Sequence, residues 1–155
     1  MMRKPRIYLD TSVLSYLDQQ DTPEKMAITH EVWKLLQQGD YEIIISSLTF
    51  DELGKAIAKK RTIFAEYLKL INYTHVPITP DQEELTQTYL QREVLCKKDR
   101  DDLIHIACSV ANDCDYLVSW NFHHMVNIRT INKVNSANLL CGYREVKIVS
   151  PQMLL

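Results

Sequence analysis

Four polar residues have the type and placement that chemistry requires: Asp10 in IYLDTSVLSYL, Glu52 in SSLTFDEL, Asp102 in DRDDLIHIA and Asn121 in YLVSWNFHH. Asp10 ends the apolar run Ile7-Tyr8-Leu9. A carboxylate at the carboxyl end of a buried first strand sits where open α/β sheets place their ligands. Three carboxylates drawn into one cleft repel, and their pKa values rise unless a cation intervenes. Magnesium or manganese suits such oxygen donors, and either ion stabilises charge on a phosphoryl group and activates water. The chemistry implied is phosphodiester hydrolysis in nucleic acid. It needs no protein nucleophile, in keeping with the absence of a GxSxG elbow or a Cys/His signature.

Each residue also has a plainer reading. Asp10 can cap the helix that starts near Ser12, but Thr11 and Ser12 can do the same, which leaves the carboxylate for a ligand. Glu52 flanks the Leu53/Ala56/Ile57 stripe and has Ala56 at i+4, whereas Asp51 can pair with Lys55. An unpaired, sheltered glutamate calls for a cation or a raised pKa. Of the three acids near the start of the next helix, Asp99 is the natural N-cap, and Asp101 and Asp102 both suit the first turn. Asp102 borders the apolar stripe one turn before His105 and is the one expected in a pocket. Asn121 is either a turn residue or an oxygen donor to an ion, directly or through water. His105, His123 and His124 lack HExxH spacing and are expected to pack or to face solvent. Asp113 and Asp115 belong to a turn, with Asp115 the nearer to the site.

The elements that must position these groups alternate. Strands are expected over residues 6–9, 41–46, 116–119 and 147–149. Helices are expected over 12–18, 23–38, 48–60, 61–71, 79–94 and 100–112. Thr22, Pro23 and Glu24 open the second helix, and Gly39 ends it. Thr79 and Gln82 form a capping box. Ile43, Ile44 and Ile45 read as a strand covered on both faces. Strands separated by helices argue for α/β architecture with a central parallel sheet.

Bulk properties narrow the function. A chain of 155 residues with 46% hydrophobic content suits a single domain spanning residues 1–155. The net charge of −2 offers no global basic field. Two local clusters, Lys55/Lys59/Lys60/Arg61 and Lys97/Lys98/Arg100, read as solvated helix faces or as phosphate contacts. Only Gly39, Gly54 and Gly142 are present, so neither GxxxxGK nor GxGxxG can be assembled. Cys96, Cys108, Cys114 and Cys141 show no metal-finger spacing, and Cys108 reads as a core thiol. No segment approaches the length of a bilayer span, and Asp10 interrupts the apolar run too early for a signal peptide. A reduced, cytoplasmic setting is expected.

The segments IYLDTSVL, SSLTFDEL, DRDDLIHIACSVA and CDYLVSWNFHHM, with the ending VKIVSPQMLL, resemble the PIN domain family of VapC-like toxin ribonucleases. The resemblance runs from about Arg6 to Leu155. It implies a three-layer α/β/α sandwich and a magnesium- or manganese-dependent endoribonuclease acting on single-stranded RNA. A small antitoxin partner and a homodimer are also implied. The family's acidic positions map onto Asp10, Glu52, Asp102 and Asn121, with Thr11 or Ser12 as the neighbouring hydroxyl. By this resemblance Asp10 and Asp102 anchor the ion, Glu52 binds it or orients the attacking water, and Asn121 holds a water. The fourth position is commonly Asp in the family, so Asn121 removes a charge and suggests a one-metal site. A second hypothesis is a PIN-like module that binds nucleic acid or protein without turnover. A third, a phosphohydrolase of the haloacid-dehalogenase kind, requires an aspartate where Ser12 stands. Trp33, Leu35 and Leu36 are either a partner-facing groove or a core stripe.

Overall fold

In the computed structural model, which describes residues 3–155, short apolar runs pair into one sheet. The strands are β1 (Arg6–Leu9), β2 (Glu42–Ser46), β3 (Tyr73–Val76), β4 (Tyr116–Val118) and β5 (Lys147–Val149). All pairings are parallel, in the order β3-β2-β1-β4-β5. The chain steps outward from β1 to β3, then returns to build the other side from β4. That reversal opens a crevice beyond the carboxyl ends of β1 and β4, where ligands bind in such sheets.

Among the described residues, seven α-helices cover the sheet: α1 (Thr11–Ser15), α2 (Pro23–Gln37), α3 (Ser47–Leu53), α4 (Ala58–Leu68), α5 (Pro80–Gln91), α6 (Arg100–Ala111) and α7 (Ile128–Leu140). Alternation along the strands divides the core in two. Tyr8, Ile44, Leu117 and Ile148 point to one face and pack with Leu85, Leu103 and Val134 of α5, α6 and α7. Ile7, Leu9, Ile43, Ile45 and Val118 point to the other and meet Val13, Trp33 and Phe64 of α1, α2 and α4. The three-layer α/β/α sandwich is therefore as expected. Burial of each such side chain contributes about 1.5–3 kcal/mol.

Local signals placed most boundaries. Pro23 opens α2 and Gly39 follows it at φ +83°, although the Thr22 side chain makes no capping bond. Gln82 Oε1 accepts the Thr79 N–H at 3.1 Å and the Thr79 side chain faces the Gln82 N–H, as the expected capping box requires. The two helices expected over 48–71 are shorter, separated by an extended Ile57 (ψ 154°) that starts α4. Two elements carried too weak a pattern to be expected. β3 is an edge strand whose residues are mostly exposed, and α7 is rich in Asn, Thr and Ser, which are modest helix formers. Trp33 and Leu36 are buried, and the Trp33 indole N–H donates to Tyr67 O at 2.9 Å. The partner-groove reading is overturned for these two, because both are buried in the core, Trp33 against Tyr67 of α4. Among the described residues, no helix is long and apolar enough to cross a membrane.

Candidate active site

Asp10 lies at the carboxyl end of β1, 4% exposed. Its Oδ1 accepts the Ser12 N–H at 3.0 Å and the Ser12 hydroxyl at 2.5 Å, and its Oδ2 accepts the Ser119 hydroxyl at 2.7 Å. Both serines are in turn anchored beyond β4: Ser12 Oγ accepts the Trp120 N–H and Ser119 Oγ accepts the Asn121 N–H, each at 2.9 Å. Asp10 is thus the N-cap of α1 after all, and that role adds to the site instead of competing with it. Burial raises its pKa, and the His105 charge and the serine hydrogen bonds only partly offset the desolvation.

Glu52, on α3, is half-buried and paired, contrary to the expectation of an isolated carboxylate. Its Oε1 accepts the Thr11 hydroxyl at 2.8 Å and lies 2.6 Å from His105 Nε2. An ionised carboxylate only accepts, so Nε2 carries the proton. Nδ1 lies 2.6 Å from the Tyr8 hydroxyl, which lies 2.6 Å from Ser46 Oγ. Ser46, Tyr8, His105 and Glu52 so form one fully satisfied chain from the core to the crevice. Burial pushes the Glu52 pKa up, but the His105 bond and charge, Thr11 and Lys55 outweigh it, and the net shift is downward. His105 is therefore more than a packing residue.

Asp102 occupies the first turn of α6, where burial raises its pKa against the opposing His124 bond. Its Oδ2 accepts from His124 Nδ1 at 2.8 Å and faces the Asn121 side-chain amide at 3.5 Å. Asn121 Oδ1 accepts the His124 N–H at 2.9 Å, so the residue shapes the turn after β4 and aims its amide at Asp102. Asp99 makes no side-chain capping bond; its carboxylate lies 3.7 Å from His124 Nε2. Among the described residues, Asp99, Asp102 and His124 are the one trio of potential ligand atoms within 4.8 Å of one another. Asp10 and Glu52 stand outside that trio, on the same crevice edge. The His105 charge acts on Asp10, Glu52 and Asp102 alike.

Sequence reasoning missed Ser119, Asp99 and His124. The serine that ends β4 had a precedent in Ser46 at the end of β2, and His124 lies three residues beyond Asn121. Asp115 does not approach the site: it binds the Arg6 N–H, Arg3 and Arg144 at the opposite end of the sheet. The donors that remain suit a hard cation. Glu52 Oε2 and Asp102 Oδ1 take no hydrogen bond among the described residues, and Asp10 is a buried carboxylate whose pKa burial raises.

Residues 6–123 match the PIN domain family. No curated protein matches the chain. Among solved structures, a chain of VapBC2 from Rickettsia felis bound to a DNA fragment from their promoter aligns with a TM-score of 0.60 at 14% identity. The alignment covers 94% of this chain and 98% of that one, a likeness of fold.

Proposed function

Because the chain belongs to the PIN domain family, we propose that it is a divalent-metal-dependent endoribonuclease of single-stranded RNA, the toxin half of a VapBC-type pair. PIN domains are generally nucleases, which makes hydrolysis the coarse class. The observation that supports the finer reading is Asp10, buried at the carboxyl end of β1 beside the strand-order reversal, whose hydrogen bonds only partly offset the cost of burying its charge.

In this reading Asp10 and Asp102 hold Mg2+ or Mn2+, and Glu52 binds it or orients the attacking water. When bound, such an ion offsets charge on the phosphodiester and makes water a better nucleophile. Ser12 and Ser119 fix the Asp10 rotamer, and His105 and Thr11 keep Glu52 ionised. Asn121 steadies Asp102 through its amide. Exposed Lys97, Lys98 and Arg100 flank Asp99, offering cations to an RNA backbone. The likeness to a VapBC2 structure supports a small antitoxin partner; a homodimer and a cytoplasmic setting complete the proposal.

The test is cleavage of single-stranded RNA with magnesium or manganese by the wild type and by Asp10→Asn. Loss of cleavage in the variant is expected, and equal activity rejects the assignment. Asn121 favours a second reading, a binding module without turnover, because it lacks a charge and its amide oxygen already serves the His124 N–H. Calorimetry separates the two: a decayed site takes up no manganese saturably.

A further inference from the structure

Three aromatic side chains beside the candidate site converge on one lysine. The Lys25 amino group lies 5.5 Å from the Tyr16 ring centroid, 5.5 Å from that of Trp120 and 5.4 Å from that of Phe122. Trp120 is buried and fixed. Its backbone N–H donates to Ser12 Oγ and its indole N–H to Thr29 Oγ1, both at 2.9 Å. Tyr16 tilts against it at 5.7 Å, and Phe122 meets it edge-on at 6.1 Å. Phe122, next to Asn121 in the chain, is nonetheless 42% exposed.

The position of Lys25 calls for an explanation. It lies in the first turn of α2, where the helix dipole disfavours a cation. Among the described residues, no carboxylate lies within 4.0 Å of it. The three rings hold the ammonium through their faces, leaving an unneutralised charge over Trp120, whose backbone N–H bonds Ser12 next to the Asp10 carboxylate. An exposed aromatic surface beside an unpaired cation is the combination by which proteins hold unpaired nucleotides: the base stacks and the phosphate is drawn in.

We propose that Phe122 and Lys25 form a nucleotide subsite adjoining the carboxylates, with a base stacked on Phe122 and the neighbouring phosphate on Lys25. The inference rests on the nuclease reading and deepens it. A base reaches the Phe122 ring only if it is free of a duplex, so the subsite accounts for selection of single-stranded RNA.

The experiment is steady-state cleavage of a single-stranded RNA oligonucleotide with manganese by the wild type, Phe122→Ala, Phe122→Trp and Lys25→Gln. Phe122→Ala is expected to raise KM about tenfold with kcat unchanged, and Phe122→Trp to restore KM. Lys25→Gln is expected to raise KM and to flatten its dependence on log salt by about 0.7. A 2-aminopurine placed in the oligonucleotide is expected to lose fluorescence on binding the wild type and to keep it with Phe122→Ala. Cleavage by the wild type with unchanged KM in Phe122→Ala and Lys25→Gln overturns the subsite alone. So does a result in which Phe122→Ala weakens only a protein partner. Absence of wild-type cleavage removes the nuclease reading and the subsite with it.

Discussion

At the scale of single residues, the burial of Asp10 has a cost in stability. Burial favours its neutral form, so the ionised carboxylate destabilises the folded state wherever the unfolded chain is ionised. Asp10→Asn keeps the shape and removes the charge. It is expected to abolish cleavage and yet to melt higher than the wild type in EDTA. Manganese at 100 times its Kd is expected to stabilise the wild type by about 2.7 kcal/mol and to leave the variant unmoved. Thermal melts with and without the ion check both, and a lower EDTA melting temperature for Asp10→Asn contradicts the charge argument. Tyr8 plays the opposite part, since its hydroxyl joins Ser46 to His105 inside the core. Tyr8→Phe is expected to cost about 1–3 kcal/mol in urea unfolding, by stranding His105 Nδ1.

At the scale of elements, α7 shows what an unpromising helix is for. Its asparagines are brackets: the Asn135 side chain accepts the Val146 N–H and donates to the Val146 carbonyl, both at 2.9 Å, just before β5. Asn138 accepts the Tyr89 hydroxyl of α5. Asn127 caps the first turn through Thr130 N–H at 2.9 Å. Asn127→Ala is expected to lower stability by about 1 kcal/mol. Asn135→Ala should cost about 1–3 kcal/mol, because it leaves two backbone groups of Val146 unpaired. A urea midpoint that does not move in Asn135→Ala removes the bracket role.

At the scale of the whole molecule, two pairs of acids oppose each other in pH dependence. The folded pKa values of Glu52 and Asp115 are lowered. For both, burial alone would raise the value, but His105 and Thr11 in one case, and the Arg6 N–H and arginines in the other, prevail. Their contribution is present above the unfolded carboxylate pKa of about 4 and is lost as pH falls through the folded values. Asp10 and Asp102 are raised, chiefly by burial, so acidification through their folded values relieves a strain that exists at neutral pH. The metal-free protein is therefore expected to melt highest on the acid side of neutral and to fall away below about pH 4. Saturating manganese should shift that optimum back toward neutral, because the cation does what protonation otherwise does. A metal-free melting temperature that falls steadily from neutral pH downward counts against this balance.

Much of the molecule was legible without coordinates because its signals are local. Apolar runs ending in Asp10 and Ser46, the Pro23 and Gly39 boundaries of α2, and the stripe of α6 depend on neighbours within a few residues. They determine the alternation of strand and helix, and with it the crevice edge where Asp10, Glu52 and Asp102 lie. Partners far apart in sequence were decided only by the tertiary structure: Ser119 for Asp10, His105 for Glu52, His124 for Asp102, and Lys25 among Tyr16, Trp120 and Phe122. A side chain's periodicity tells which face it takes. Its hydrogen-bond partner depends on where sheet order and helix packing bring a residue as many as 109 positions away.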